Sequence, residues 1–251
     1  MIFSNTSSYM LKYQKAKAKL VEYDIPNEAY PKFPLNSNEL SYPVVYILSR
    51  YAESVIENNA VDREEFSPYL GVASQYFDAA VGAKDRTAYD IDFLLSGAAA
   101  YFLSDNFGSA KVLCSEYFER NDPEATAPQK IMGNFLGYLL LNRELHINND
   151  TPTGEKLCRS LLAYYTNGKK PEEIQNILLE YRKEIYAHDT PMEIYYVDIL
   201  YAVVVVALSR SAWSLLPMYS GLDQSLWSDY LKSPNAPRML WPAQQLIGEK
   251  E

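Results

Sequence analysis

Two histidines, His146 and His188, are the only imidazoles available for acid–base work. His188 adjoins Asp189, and a carboxylate can orient an imidazole beside a nucleophile. No Gly-x-Ser-x-Gly elbow accompanies the pair, so it reads as a cap or surface arrangement before a helix start. The two cysteines, Cys114 and Cys158, each sit inside an apolar helical pattern. That suits buried thiols in a reducing compartment better than a disulfide framework. A metal centre needs clustered ligands, and the sequence holds no HExxH, no CxxC and no calcium loop. Asp90 and Asp92 of YDIDF face opposite ways on a helix and do not form a carboxylate pair. Gly168–Lys169–Lys170 echoes a phosphate loop, but a second lysine stands where that loop needs a hydroxyl, and the upstream glycine is missing. A helix C-cap followed by cations that favour the helix dipole accounts for it. The residues present therefore include no catalytic and no metal-binding set.

The elements that would position any site are helices. Val44, Leu48, Ala52 and Val55 share one helical face, with Pro43 in the first turn. Ser67–Pro68 resembles a cap with proline at the first helical position, and Gly82 a stop. Ile91, Leu94, Leu95, Ala98 and Phe102 form a stripe that resumes as Ala110, Leu113, Cys114, Tyr117 and Phe118. The turn-forming residues 104–108 between them predict an αα-hairpin. The next helix begins at Thr126 with Pro128 in its first turn and an apolar face of Met132, Phe135, Leu136, Leu139 and Leu140. Gly133 and Gly137, four apart on that helix, would let a neighbour approach closely. The polar HINNDTPTGE reads as a loop, and Leu157, Leu161, Tyr164 and Tyr165 define a helix ending near Asn167–Gly168. Pro171 opens another, carrying Ile174, Ile177, Leu178, Tyr181 and Ile185. Thr190-Pro191-Met192-Glu193 reads as a capping box that starts a long apolar helix. Val203–Val206 would favour a strand locally, but the apolar pattern continues on both sides without a turn residue until Pro217, which decides for helix. The expected fold is all-α, an array of antiparallel helical hairpins over residues 1–218. Residues 219–251 are looser, a linker with one short helix around Gln224–Leu231.

One stretch, GAAAYFLSDNFGSAKVLCSEYFERNDPE, resembles a tetratricopeptide unit through Ala98, Tyr101, Ala110 and Pro123. Clean copies at the required period are absent, so the expected array is a degenerate one or a plain irregular helical domain.

Composition narrows the partners. The 251 residues carry a net charge of −9, with 22 tyrosines and 48% apolar residues. Such a chain can bury a core, and its acidic surface opposes general binding to a phosphate backbone. Lys12, Lys15, Lys17 and Lys19 form only a modest basic face. The N-terminus lacks the basic-then-apolar order of a signal peptide. The most apolar run, Ile199–Leu208, is shorter than the roughly 20 residues a membrane span needs, and reads as a core helix. The expected location is the cytoplasm, with no membrane contact.

The last residues change character. Leu240-Trp241-Pro242-Ala243-Gln244, followed by Gln245-Leu246-Ile247-Gly248, resembles the entry to the motor of superfamily two DEAD/DEAH-box helicases, including the Ski-type branch. There an L-x-P-x-Q element precedes the first motor helix. Its glutamine reads adenine through paired amide contacts, as an amide's donor and acceptor allow. The preceding helices are similar to the N-terminal extension of bacterial antiviral-defence helicases, the Hachiman type among them. The resemblance implies that Gln244 is the one cofactor-binding residue present, and that the chain stops before the Walker A loop. ATP and magnesium would then be bound only by the full-length parent, and nucleic acid only by its motor. The helices would dock a protein partner or regulate the motor.

Two other readings remain. A free-standing helical scaffold would bind a peptide or protein in a tyrosine-lined groove. A cryptic hydrolase or nuclease would need clustered carboxylates that the sequence does not display.

Overall fold

The computed structural model describes residues 41–58, 70, 71, 73, 74, 77, 91–120, 124–147, 151–168, 171–188, 190–218, 221–233, 236–240 and 244. In chain order the helices are α1 (Ser41–Asn58), α2 (Ile91–Leu103), α3 (Phe107–Arg120), α4 (Ala127–Leu141), α5 (Pro152–Asn167), α6 (Pro171–His188) and α7 (Pro191–Ser209). A 3-10 helix (Ala212–Met218) and α8 (Gly221–Leu231) come after them. Among the described residues there is no β-strand, and the one isolated bridge joins Ser211 to Met239. The all-α expectation holds.

Helix α7 is apolar on every side, so no single face can be left to water. Every residue from Tyr195 to Leu208 is buried, the four valines included. The surrounding helices α1, α2, α4 and α6 all pack against it. At 19 residues it is long and apolar enough to cross a membrane, beyond what the Ile199–Leu208 run suggests. Here 72% of its apolar window is covered by the other helices. Burying each valine, leucine or isoleucine is worth about 1.5–3 kcal/mol, so this helix is the largest contributor to the core. Around it, consecutive helices pair as hairpins: α2 with α3, α3 with α4, α5 with α6. The returns of α7 to α1, α2 and α4 are contacts that a stack of repeats touching only its neighbours does not make.

Local chemistry sets the ends of these elements. The turn between α2 and α3 is shorter than expected, because Phe107 and Gly108 already belong to α3. Asn106 Oδ1 accepts the Ser109 N–H at 3.2 Å and so starts the helix early. Asp105 takes the left-handed conformation (φ 69°) that turns the chain. The loop after α4 ends earlier than HINNDTPTGE suggests: Thr151 Oγ1 accepts the Gly154 N–H at 3.0 Å, and α5 begins at Pro152. The expected box at Thr190–Glu193 is present, and a second one at Thr126–Gln129 opens α4. Gly168 ends α5 in the left-handed conformation, as expected. Gly133 and Gly137 do admit a close neighbour. A Cβ at Gly133 would enter the Tyr117 ring and one at Gly137 would lie 2.5 Å from Phe118, so α3 seats two aromatics in the groove they leave. The Ser67–Pro68 cap and the Gly82 stop lie outside the described residues.

The C-terminal end of α7 carries an ionic contact. Arg210 is 1% exposed and pairs through Nη2 with Asp105, whose side chain is 31% exposed. Its guanidinium also lies 5.4 Å from the centre of the Phe107 ring. Asp105→Asn keeps a side chain that tolerates the left-handed turn but removes the charge facing a buried cation. Because Asp105 is partly solvated, the expected loss is about 3 kcal/mol, the lower end for breaking a buried pair. Urea unfolding measures it, and a loss within about 0.5 kcal/mol, the scatter of ordinary surface substitutions, would refute the role assigned to the pair.

Candidate functional site

Among the described residues, the side chains that could do chemistry do not converge. His146 is exposed on the non-helical stretch 142–147, and His188 closes α6. Asp189, Asp90, Lys169 and Lys170 lie outside the described residues. Cys114 and Cys158 are buried free thiols, as expected. Burial pushes the Cys114 thiol up to about 12, against a smaller opposing pull from Arg143, so it is not a nucleophile at neutral pH. Among the described residues no group of three or more His, Cys, Asp or Glu is placed to hold a metal ion.

What the fold does assemble are two polar networks on α7. Asp92 of α2 accepts from Gln129 Nε2 of α4 at 2.6 Å and from the Tyr196 hydroxyl of α7 at 2.8 Å. The Tyr195 hydroxyl donates to Ser96 Oγ at 3.1 Å. On the opposite side Asp198 accepts from Arg182 Nε and from the Tyr186 hydroxyl, both at 2.6 Å. Arg182 in turn stacks over the Tyr186 ring at 4.3 Å. Burial raises the pKa of Tyr195 and Tyr196 above the ordinary tyrosine value, and Asp92 adds to it. Tyr186 is pushed up to about 12, by burial and then by its hydrogen bond to Asp198. These phenols are held neutral, and the networks tie α2, α4 and α6 to α7. No short-range pattern marks Asp198 for this role, because its partners lie 16 and 12 residues away in the chain.

A third cluster lies where residues 236–240 cross the bundle. The Leu240 N–H donates to the Arg210 carbonyl at 2.8 Å, beside the Ser211–Met239 bridge. Arg238 stacks over the Tyr138 ring at 3.6 Å. Its Nη1 donates to the Tyr138 carbonyl and, at 3.4 Å, to the Arg143 carbonyl. This strap thus joins the C-terminal ends of α4 and α7 and satisfies carbonyls that those ends expose. Beneath it lies a cavity of about 270 Å³ bounded by α3, α4 and the strap. No tyrosine lines this cavity, and Tyr51, Tyr101, Tyr181, Tyr196 and Tyr201 are packed inside the bundle.

Gln244 is helical and exposed, four residues past the strap. One amide without a phosphate loop does not make a nucleotide site, so the described residues do not by themselves fit ATP. The sequence holds no such loop elsewhere.

No family model, no curated protein and no solved structure matches the chain.

The buried tyrosines make stability depend on alkaline pH. Burial raises the pKa of Tyr165, Tyr195 and Tyr196 above 10.0, so the folded state holds protons that the unfolded state releases. Their contribution is complete below about pH 10 and is lost as pH rises further. Melting temperatures should therefore fall steeply above about pH 10, with tyrosinate absorbance appearing together with loss of helical circular dichroism. Full tyrosinate absorbance while helicity is retained would contradict it.

Proposed function

We propose that the chain is a non-catalytic helical scaffold, the N-terminal domain of an ATP-dependent DEAD/DEAH-box helicase of bacterial antiviral defence. In this reading the bundle docks a protein partner and regulates the motor, and the protein works in the cytoplasm. The strap is the observation that supports it. Residues 238–240 are bonded to the ends of α4 and α7 immediately before the Leu240–Gln244 element. A segment held this way moves with the ends of α4 and α7, so a partner that shifts those helices also shifts the strap. ATP, magnesium and nucleic acid would be bound by the motor, with Gln244 contributing an adenine contact once a phosphate loop stands beside it. The acidic balance of the chain is consistent with leaving nucleic acid to another domain.

A second reading, a free-standing tetratricopeptide-like scaffold, is favoured by α8. Leu222, Leu226, Trp227 and Tyr230 are all exposed on that helix, a pattern that suits contact with another protein.

Translating the gene past the codon for Glu251 separates the two. The helicase reading expects an in-frame GKT or GKS loop soon afterwards, followed by an acidic motor box. A stop codon directly after Glu251 would contradict it and leave the scaffold.

A further inference from the structure

The cavity under the strap combines an apolar wall with cationic side chains. Phe107, Leu139, Leu140 and Met239 supply apolar wall. The polar lining comes from Lys111, Asn142 and Arg238, and no aspartate or glutamate is part of it. The side chains of Lys111 and Asn142 have no hydrogen-bond or ion-pair partner among the described residues. Arg238 spends Nη1 on the carbonyls of Tyr138 and Arg143, and its positive charge meets no carboxylate there. The first turn of α3, Phe107 and Gly108, adds the positive end of a helix dipole to the same wall. Two cations and a helix start around one cavity without a counter-charge favour an anion, and the apolar wall favours one with a hydrophobic body.

Size narrows the choice. Sites for drug-sized ligands run from about 300 to 1,000 Å³, and this cavity, at about 270 Å³, lies just below that range. A single ring or a short branched chain matches that volume.

We propose that this cavity binds a compact carboxylate with a one-ring apolar body, the carboxylate on Lys111 and Arg238 and the ring among Phe107, Leu139 and Leu140. Part of the wall is the strap itself, so a bound molecule holds residues 237–240 against α3 and α4. The proposal does not depend on the helicase reading.

Phenylacetate titrated into the full chain, followed by calorimetry and amide chemical shifts, tests it. Phenethylamine and benzyl alcohol serve as cationic and neutral probes of similar size. Two variants accompany them. Lys111→Gln removes an exposed charge, and Gly108→Leu narrows the cavity at a position where an added Cβ meets only Asn106 Oδ1, at 3.9 Å. The expected result is saturable one-to-one binding of phenylacetate, about tenfold weaker in Lys111→Gln and weaker still for the two other probes. Gly108→Leu should lose binding while keeping its helical circular dichroism. Absence of saturation by phenylacetate, equal affinity for phenethylamine, or unchanged affinity in Lys111→Gln would each overturn the proposal.

Discussion

Everything in this fold derives from the need to cover α7. An amphipathic helix can lie on a surface, but one that is buried from Tyr195 to Leu208 must be enclosed. The hairpins supply that enclosure, with α1, α2, α4 and α6 each taking one side. Polar groups on so apolar a helix must then find partners inside the bundle. Asp198 does so with Arg182 and Tyr186, and Tyr196 does so with Asp92. The networks therefore join α2 and α4 to Tyr196 and α6 to Asp198 by hydrogen bonds as well as by apolar contact.

The end of α7 explains the strap. A helix end leaves carbonyls without partners, and a buried end cannot leave them to water. Leu240 supplies a donor to the Arg210 carbonyl, and Arg238 does the same at the end of α4. The segment before Gln244 is thus part of the bundle's hydrogen bonding. The same seat closes one side of the cavity between α3 and α4.

Much of the fold could be read from local signals. Proline and threonine at helix starts, Gly168 at an end and the stripes of Leu94–Phe102 and Ala110–Phe118 all act within one or two turns. The pattern around Val203–Val206 outweighed β-propensity because burial on every side rewards apolar bulk whatever its preferred backbone. Phe107 and Gly108 looked like turn because asparagine suits turns as well as helix caps, and only its bond to Ser109 identifies the cap. The networks were not legible. Asp92 and Tyr196 are 104 residues apart, and Arg238 lies 100 residues from the carbonyl it meets, so no periodicity links them. Gln244 was visible as part of a short motif, whereas no motif or spacing in the sequence singles out Lys111 or Asn142.

Amide hydrogen exchange tests most directly whether the strap belongs to the bundle built on α7. The account predicts that the α7 amides exchange only by global unfolding, and that the Leu240 amide is protected well beyond those of the exposed helix α8. A Leu240 amide that exchanges as fast as an unstructured one, with α7 still protected, would contradict it.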